Sequence, residues 1–305
     1  MHFLRALPTL ATLAASLAAQ SPASPAPPPP PALLGFTLGG SATLGSQYIF
    51  RGLTQTDGKP TVQAELDLVH PTGFYLSTSL SNISWFTDQN AGLASAPTSL
   101  GSPAAVGAPL YRAGKVNSAG VELDLFGGYK WGFAKDWTLD VGLYRYLYPG
   151  TYENLGAYRN PATTEAYLGL GYAWASLKYS QVISANTFGV NNSGGTSYVD
   201  LTLAIPLGAS GWTVLAHGGH TTYADKANPG YFSNGSTVTG ENSLFSYSDY
   251  KLGIAKEIKG CTLALAGTYA DTKARAADDD VTVYENAMGR NIGKGRLTLT
   301  LTKAF

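Results

Sequence analysis

The sequence predicts an all-β fold: a transmembrane, antiparallel, up-and-down β-barrel of about twelve strands. Apolar and polar residues alternate along about twelve segments of roughly ten residues, the length of a tilted strand that crosses a bilayer. The connections between these segments alternate between long and short. Aromatic residues cluster where the segments end, as amphipathic rings do at the two surfaces of a membrane.

The composition agrees with β-structure whose outer surface does not face water. Only 13% of the 305 residues are charged, about half the usual ~25% of a soluble domain. The chain is rich in Gly (36) and Tyr (19). Its 20 basic and 20 acidic residues cancel, which argues against a nucleic-acid partner. A single cysteine, Cys261, excludes a disulfide scaffold.

The first residues have the pattern of an export signal followed by a spacer. Residues 1–19 combine a short basic start, an apolar stretch and small residues before a cleavage point, which predicts a signal peptide. Residues 20–34 contain five consecutive prolines and predict a stiff, solvated polyproline II tether in the periplasm. We expect residues 35–305 to form the barrel, in the outer membrane of a Gram-negative bacterium.

The alternation also predicts which side chains face lipid, and four leucines illustrate it: Leu123, Leu201, Leu252 and Leu299. A soluble lipocalin-like barrel alternates in the same way but turns its apolar residues inward. The signal peptide, the loop lengths, the aromatic residues and the terminal Phe305 favour the membrane form.

The loop lengths predict the orientation of the barrel. Short turns are expected near residues 70–73, 132–136, 173–175, 207–211 and 259–260. Long loops are expected at residues 54–59, 87–116, 149–163, 185–196, 223–244 and 272–293. In outer-membrane barrels the short turns are periplasmic and the long loops external. With both barrel ends in the periplasm, the number of strands must be even.

Two aromatic girdles are expected, one at each membrane surface. At the short-turn end they are Phe74, Trp131, Trp137, Trp174, Trp212 and Phe305, and at the long-loop end Trp85, Phe86, Tyr146, Tyr148, Tyr247 and Tyr269. Phe305 ends the last strand on the lipid-facing parity. We therefore predict that it is the membrane-assembly signal that the barrel-assembly machinery recognises.

One stretch carries a family resemblance. Residues 46–60, SQYIFRGLTQTDGKP, resemble the N-terminal signature of the TorF family of porins, a Gcw_chp-type family of bacterial outer-membrane β-barrels. Residues 70–75 and 81–82 continue the resemblance, which covers most of the chain after residue 35. It implies an outer-membrane barrel that acts as a porin, and it supplies neither a substrate nor a site residue. The loop at 87–116 and the proline tether look like local elaborations.

The polar parity predicts what lines the lumen. The candidates for a charged constriction are Arg51, Glu65, Asp67, Glu122, Asp124, Asp140, Glu165, Asp200, Asp249, Lys251 and Arg296, accompanied by Lys130 and Lys178. Such a constriction would select solutes by charge and size. The same residues would equally serve as ion pairs that hold a narrow barrel together. Both interpretations stay open, and a one-residue register slip would invert every assignment.

The function that these predictions support is a porin-like channel for passive diffusion of small solutes or ions. Eight acidic against five basic luminal residues predict a weak preference for cations. The alternative is a structural or adhesive barrel whose lumen is plugged, for example by the loop at 87–116. The expected partners are outer-membrane lipid and lipopolysaccharide, the barrel-assembly machinery and small solutes, with no nucleic acid.

An enzyme is the rival from another class, since some outer-membrane barrels hydrolyse lipids. That chemistry requires a serine activated by a histidine. Beyond the signal peptide and the turn at His70, only His217 and His220 remain, without a serine nucleophile signature nearby. Three apart in a strand, these two face opposite sides and cannot share a metal. No catalytic residue, metal or cofactor is therefore expected.

Overall fold

The computed structural model describes residues 34–89, 118–151, 160–233, 236–272, 284–286 and 288–305. The predicted signal peptide, the tether up to residue 33 and most of the loop at 87–116 lie outside the described residues. Among the described residues, no helix is long and apolar enough to cross a bilayer. Three short 3₁₀ turns occur there, at Thr87–Gln89, Gly208–Ser210 and Asn242–Phe245.

Sixteen strands follow one another along the described chain. They are β1 (Thr37–Gly45), β2 (Ile49–Phe50), β3 (Leu53–Thr54), β4 (Thr61–Val69), β5 (Phe74–Asn82), β6 (Val121–Ala134), β7 (Trp137–Leu147), β8 (Thr163–Tyr172), β9 (Ala175–Val182), β10 (Ser197–Pro206), β11 (Trp212–Thr222), β12 (Ala227–Ser233), β13 (Ser236–Glu241), β14 (Tyr247–Ile258), β15 (Cys261–Thr272) and β16 (Arg296–Ala304).

Twelve of these strands close into one antiparallel barrel, which confirms the predicted fold. Their order around the wall is β1-β16-β15-β14-β11-β10-β9-β8-β7-β6-β5-β4, and β4 pairs with β1. The seam between the first and last strands continues past β16, because Gly40 and Phe305 exchange two backbone hydrogen bonds of 3.1 and 3.0 Å. The remaining four strands form two small hairpins, β2–β3 and β12–β13, within long loops.

The turns at one end are tight. β14 and β15 are joined by Lys259 and Gly260, with φ of 51° and 72°. Positive φ at both central residues matches the twist of paired strands. The turn between β4 and β5 is closed by the Gly73 amide, which donates to the His70 carbonyl at 2.9 Å. Short connections therefore lie at the end that the sequence assigns to the periplasm.

The apolar parity faces outward. Leu201, Leu252 and Leu299 are 47%, 68% and 49% exposed, and Leu123 is partly exposed. A belt of exposed leucines around a closed barrel is stable when hydrocarbon surrounds it, because water would make such a surface costly. The barrel is therefore of the transmembrane, outer-membrane type.

The aromatic girdle is confirmed at the short-turn end and is largely wrong at the other. All six residues predicted for the short-turn girdle are exposed. At the long-loop end Tyr269 is exposed, but Phe86, Tyr146, Tyr148 and Tyr247 are buried and Trp85 is partly buried. The physical reason is parity: Tyr146 stands an even number of residues from the inward-facing Asp140, so both side chains point into the lumen.

The first predicted segment is also shorter than its alternation suggests. Tyr48 and Phe50 share the parity of Leu38 and Leu44, yet β1 ends at Gly45. The Ser46 amide still donates to the Leu299 carbonyl of β16 at 2.8 Å, and the chain leaves the wall after this bond. Residues after this point form a separate hairpin.

A charge on the outer face tests the orientation. Leu201→Arg should lower the free energy of unfolding by ~2–4 kcal/mol, because Leu201 lies near the middle of β10, where an arginine would face hydrocarbon. Leu207→Arg, at the exposed short turn that follows the same strand, should cost at most ~1 kcal/mol. Denaturant unfolding in lipid vesicles measures both. Equal losses in the two variants would contradict the orientation.

The aromatic ring of Phe305 tests the assembly role. Phe305→Ala keeps the backbone bonds to Gly40 and removes a ring that is exposed at the barrel end. We expect less protein in the outer membrane at unchanged synthesis, because the assembly signal is lost. Phe74→Ala, exposed at the same end, is the control. If quantified outer-membrane fractions contain both variants at the wild-type level, Phe305 has no such role.

Candidate functional site

A hairpin from the connection between β1 and β4 enters the lumen. We call residues 48–55, which contain β2 and β3, the luminal hairpin. Arg51 and Gly52 form its tip with φ of 45° and 76°, the geometry of a two-residue hairpin turn. A Cβ added at Gly52 would lie 2.6 Å from the Cβ of Asp249 and 3.0 Å from the Cβ of Ala270. The tip therefore packs directly against the inner wall at β14 and β15, and only glycine fits there.

From the same tip, Arg51 reaches the opposite part of the wall. Its Nη2 donates to both carboxylate oxygens of Glu165 on β8, at 2.9 and 2.7 Å. Its guanidinium lies 4.1 Å from the ring centre of Tyr198, and Phe50 and Phe188 flank it. The alternation of the sequence predicts Arg51 in the lumen on a strand. The structure places it in the lumen, but on the hairpin.

The hairpin is held at a second point by a buried carboxylate on β6, which has a second buried carboxylate beside it. The Tyr48 hydroxyl donates to Glu122 Oε1 at 2.6 Å. Burial, followed by the charge of Glu122, raises the pKa of Tyr48 well above its usual value, so the hydroxyl remains a donor. Asp124 Oδ2 accepts bonds of 3.0 Å from Ser79 and Tyr144. Glu122 and Asp124 are each only 2% exposed.

A third group surrounds His217 on β11. Its Nε2 lies 3.0 Å from Asp249, its Nδ1 2.8 Å from the Thr202 hydroxyl, and Thr202 in turn donates to Asp200 at 3.2 Å. Tyr198 donates to Asp249 at 3.0 Å. The Tyr198 ring, which lies against the Arg51 guanidinium, links this group to the hairpin. This role of His217 was not predicted from the sequence, although the parity of His217 on β11 places its side chain inward.

The contacts of His217 resemble the hydrogen-bond chain of a catalytic triad, but a substrate cannot reach the hydroxyl group in it. Thr202, His217 and Asp249 follow one another as nucleophile, base and orienting acid do. Thr202 is 2% exposed, however, and its hydroxyl is directed to Asp200. A substrate carbonyl therefore has no approach to this oxygen. His220 faces outward and contacts Ser248, so the two histidines lie on opposite faces of β11.

Nearer the short-turn end, Asp140 on β7 joins two partners. Lys130 Nζ lies 3.6 Å from Asp140 Oδ2, and the Tyr75 hydroxyl donates to Asp140 Oδ1 at 2.8 Å. Tyr75 also contacts the Tyr167 hydroxyl, and Lys178 lies over the Tyr167 ring at 5.5 Å. This network ties β5, β6, β7, β8 and β9 together across the interior.

The remaining predicted site residues are the acids on β4 and the cations on β14 and β16. Asp67 accepts a bond of 2.5 Å from Ser77, and Glu65 borders a small cavity lined by Ser41, Thr43, Gln63, Ala64, Ser79 and Ser81. Arg296 lies 3.8 Å from Asp57, and Lys251 has no ion pair with a described residue. All eleven predicted charges thus face the interior, but the structure divides them into separate groups.

A closed barrel with an apolar outer belt and a charged, hairpin-crossed interior defines an outer-membrane β-barrel protein. Within that class, the chain belongs to the family described as bacterial protein of unknown function (Gcw_chp), whose model matches residues 31–305. Among curated proteins, none matches this chain in sequence.

Solved structures with a similar fold are outer-membrane barrels. The NanC porin is 8% identical, with 88% of this chain and 98% of that chain covered and a TM-score of 0.44. The KdgM porin is 8% identical, with 88% and 99% covered and a TM-score of 0.43. The toluene transporter TodX of Pseudomonas putida is 11% identical, with 90% of each chain covered and a TM-score of 0.41.

A double-mutant cycle tests the hairpin anchor. Arg51→Gln should destabilise the barrel by ~3–5 kcal/mol, because it leaves the buried Glu165 carboxylate without its cation. Arg51→Gln combined with Glu165→Gln should lose much less, since no unpaired charge remains. Urea unfolding of the two single variants and the double variant in lipid vesicles measures the coupling. Single effects that simply add up to the double effect would show that the pair does not anchor the hairpin.

Proposed function

We propose that the protein is an outer-membrane, porin-like channel for the passive diffusion of small solutes or ions. The observation that carries the proposal is the interior of the barrel, where charged and hydroxyl side chains lie alongside a cluster of buried aromatic rings. Ser41 and Thr43 on β1, Ser77 and Ser79 on β5 and Thr298 on β16 all point inward. Twelve strands enclose a lumen between those of filled eight-stranded and open sixteen-stranded barrels. The TorF resemblance of residues 46–82 agrees with this function.

In this proposal the luminal hairpin is the constriction. Its tip spans the interior between β14 and β8, so a solute must pass beside it. The wall formed by β1, β4 and β5 carries small side chains, and the cavity beside Glu65 lies on that wall. Glu65 Oε1 is buried and has no hydrogen-bond partner among the described residues. We infer that the path runs along this wall, past Glu65.

We further propose a weak preference for cations. Arg51 and Lys130 are neutralised by Glu165 and Asp140. The acids of β4 and β6, by contrast, lie on the side of the proposed path. Their carboxylates have no lysine or arginine nitrogen of the described chain within 4.0 Å. These acids are Glu65, Asp67, Glu122 and Asp124. An uncompensated acidic wall in a narrow pore attracts cations and repels anions.

The charge argument is tested in planar bilayers under a salt gradient. The wild type should give a reversal potential of the cation-selective sign that shrinks at high salt, since the Debye length falls from ~10 Å at 0.1 M to ~3 Å at 1 M. Glu122→Gln combined with Asp124→Asn should shift it toward anions. Asp136→Asn, in an exposed periplasmic turn, should leave it unchanged. An anion-selective wild type would refute the proposed preference.

A structural or adhesive barrel with a plugged lumen is the second candidate, and one observation favours it. Glu122, Asp124 and Glu165 are 2% exposed and Asp249 1%, so side chains fill the interior at the level of the hairpin. The plug is then the luminal hairpin, while most of the loop at 87–116 lies outside the described residues. A wild type that never conducts, together with a hairpin-released Arg51→Gln, Glu165→Gln variant that does conduct, would establish the hairpin as the plug.

A further inference from the structure

Three inward side chains on adjacent strands have hydrogen-bond donors without an acceptor among the described residues. Lys251 on β14 is the register partner of Thr268 on β15, and Thr268 is the partner of Arg296 on β16. The Thr268 Oγ1 and the Arg296 Nε are buried without a hydrogen-bond partner among the described residues. Directly paired residues on one face have Cβ atoms about 5 Å apart. The three side chains therefore form a row across the wall.

Lys251 differs from the other luminal cations. Arg51 is paired with Glu165, Lys130 with Asp140, and Lys178 lies over an aromatic ring. Lys251 makes no hydrogen bond and no ion pair with the described chain, although it is partly buried. An ammonium withdrawn from water without an anion is costly, and such groups in proteins normally have a partner. The structure thus holds a cation that is prepared for an anion from outside the chain.

The nearest carboxylates already have other partners. Asp249, two residues from Lys251 on the same face of β14, contacts His217 and accepts from Tyr198. Asp57 lies 3.8 Å from Arg296 Nη2 and is bonded more closely by Arg290, at 2.8 Å. One side of the Arg296 guanidinium is therefore directed to Asp57, while its buried Nε–H has no acceptor among the described residues.

We propose that Lys251, Thr268 and Arg296 bind the carboxylate group of a solute in the lumen. β14 and β16 are two strand spacings apart, about 10 Å, so long side chains from both can approach an anion between them. The ammonium and the Nε–H would donate from the two sides and the Thr268 hydroxyl from the middle, as charge-assisted bonds. Acids elsewhere in the lumen repel multiply charged anions. The expected ligand is therefore a small solute with one carboxylate. The carboxylate site rests on the proposed channel function only in that the ligand is taken to be a solute in transit through the lumen.

Binding can be measured without any current. The full chain, refolded in detergent micelles, is titrated with trifluoroacetate and observed by fluorine NMR, with trifluoroethanol as the uncharged control probe. The wild type should bind trifluoroacetate saturably, and acetate should displace it while sulfate at equal ionic strength should not. Lys251→Met should weaken binding by about tenfold or more. Lys259→Met, in an exposed periplasmic turn, should bind as the wild type does.

Each variant has a control for folding. Lys251→Met should unfold at a higher denaturant concentration than the wild type, because it removes an unpaired, partly buried charge. Thr268→Val keeps the shape of the side chain, removes the central hydroxyl and should weaken binding on its own. Equal binding by wild type and a folded Lys251→Met would overturn the proposal. So would displacement by sulfate as effective as displacement by acetate, since that would show screening and not a carboxylate site.

Conductance separates this site from the proposed function. In a conducting wild type, acetate should reduce the chloride-carried current, and Lys251→Met should abolish that block. A chain that binds trifluoroacetate through Lys251 but never conducts supports the carboxylate site and refutes the channel. A chain that conducts without saturable binding supports the channel and refutes the carboxylate site.

Discussion

Closure of the hydrogen-bonded wall is the constraint on which the rest of this structure depends. Inside a bilayer no water is available for an unpaired backbone amide or carbonyl, so a sheet that crosses it must have no free edge. Here β1 satisfies the constraint by pairing with β4 on one side and β16 on the other, and Gly40 and Phe305 extend the seam. Once the wall is closed, every second residue must enter the interior, whatever its charge.

The interior then has to compensate the charges that the strands deliver to it. Much of this compensation comes from the luminal hairpin, which belongs to no barrel strand. Arg51 bonds Glu165 on β8 and lies on Tyr198 of β10, while Tyr48 bonds Glu122 on β6. This short segment between β1 and β4 thus links separated parts of the wall. The contacts that hold the hairpin across the interior also tie the barrel strands together.

Parity explains where sequence reasoning succeeded and where it failed. The inward placement of Glu65, Asp140 and Lys251 follows from a period of two, which is strict in a strand. The same rule applied to Tyr146 would have placed it inside, but its ring was assigned to a membrane surface because of its position near a strand end. Burial at that level comes from the hairpin and from neighbouring rings, which are remote in sequence.

The sequence by itself determined the barrel, its twelve strands, the outward leucines and the short-turn girdle, because each follows from alternation between neighbouring residues and from loop length. Only the tertiary structure decided how the interior charges are partnered. Arg51 and Glu165 are 114 residues apart, and Lys251 and Thr268 become neighbours through strand register. Such pairings depend on closure of the whole wall and on the inward course of one loop, and neither leaves a local pattern in the chain.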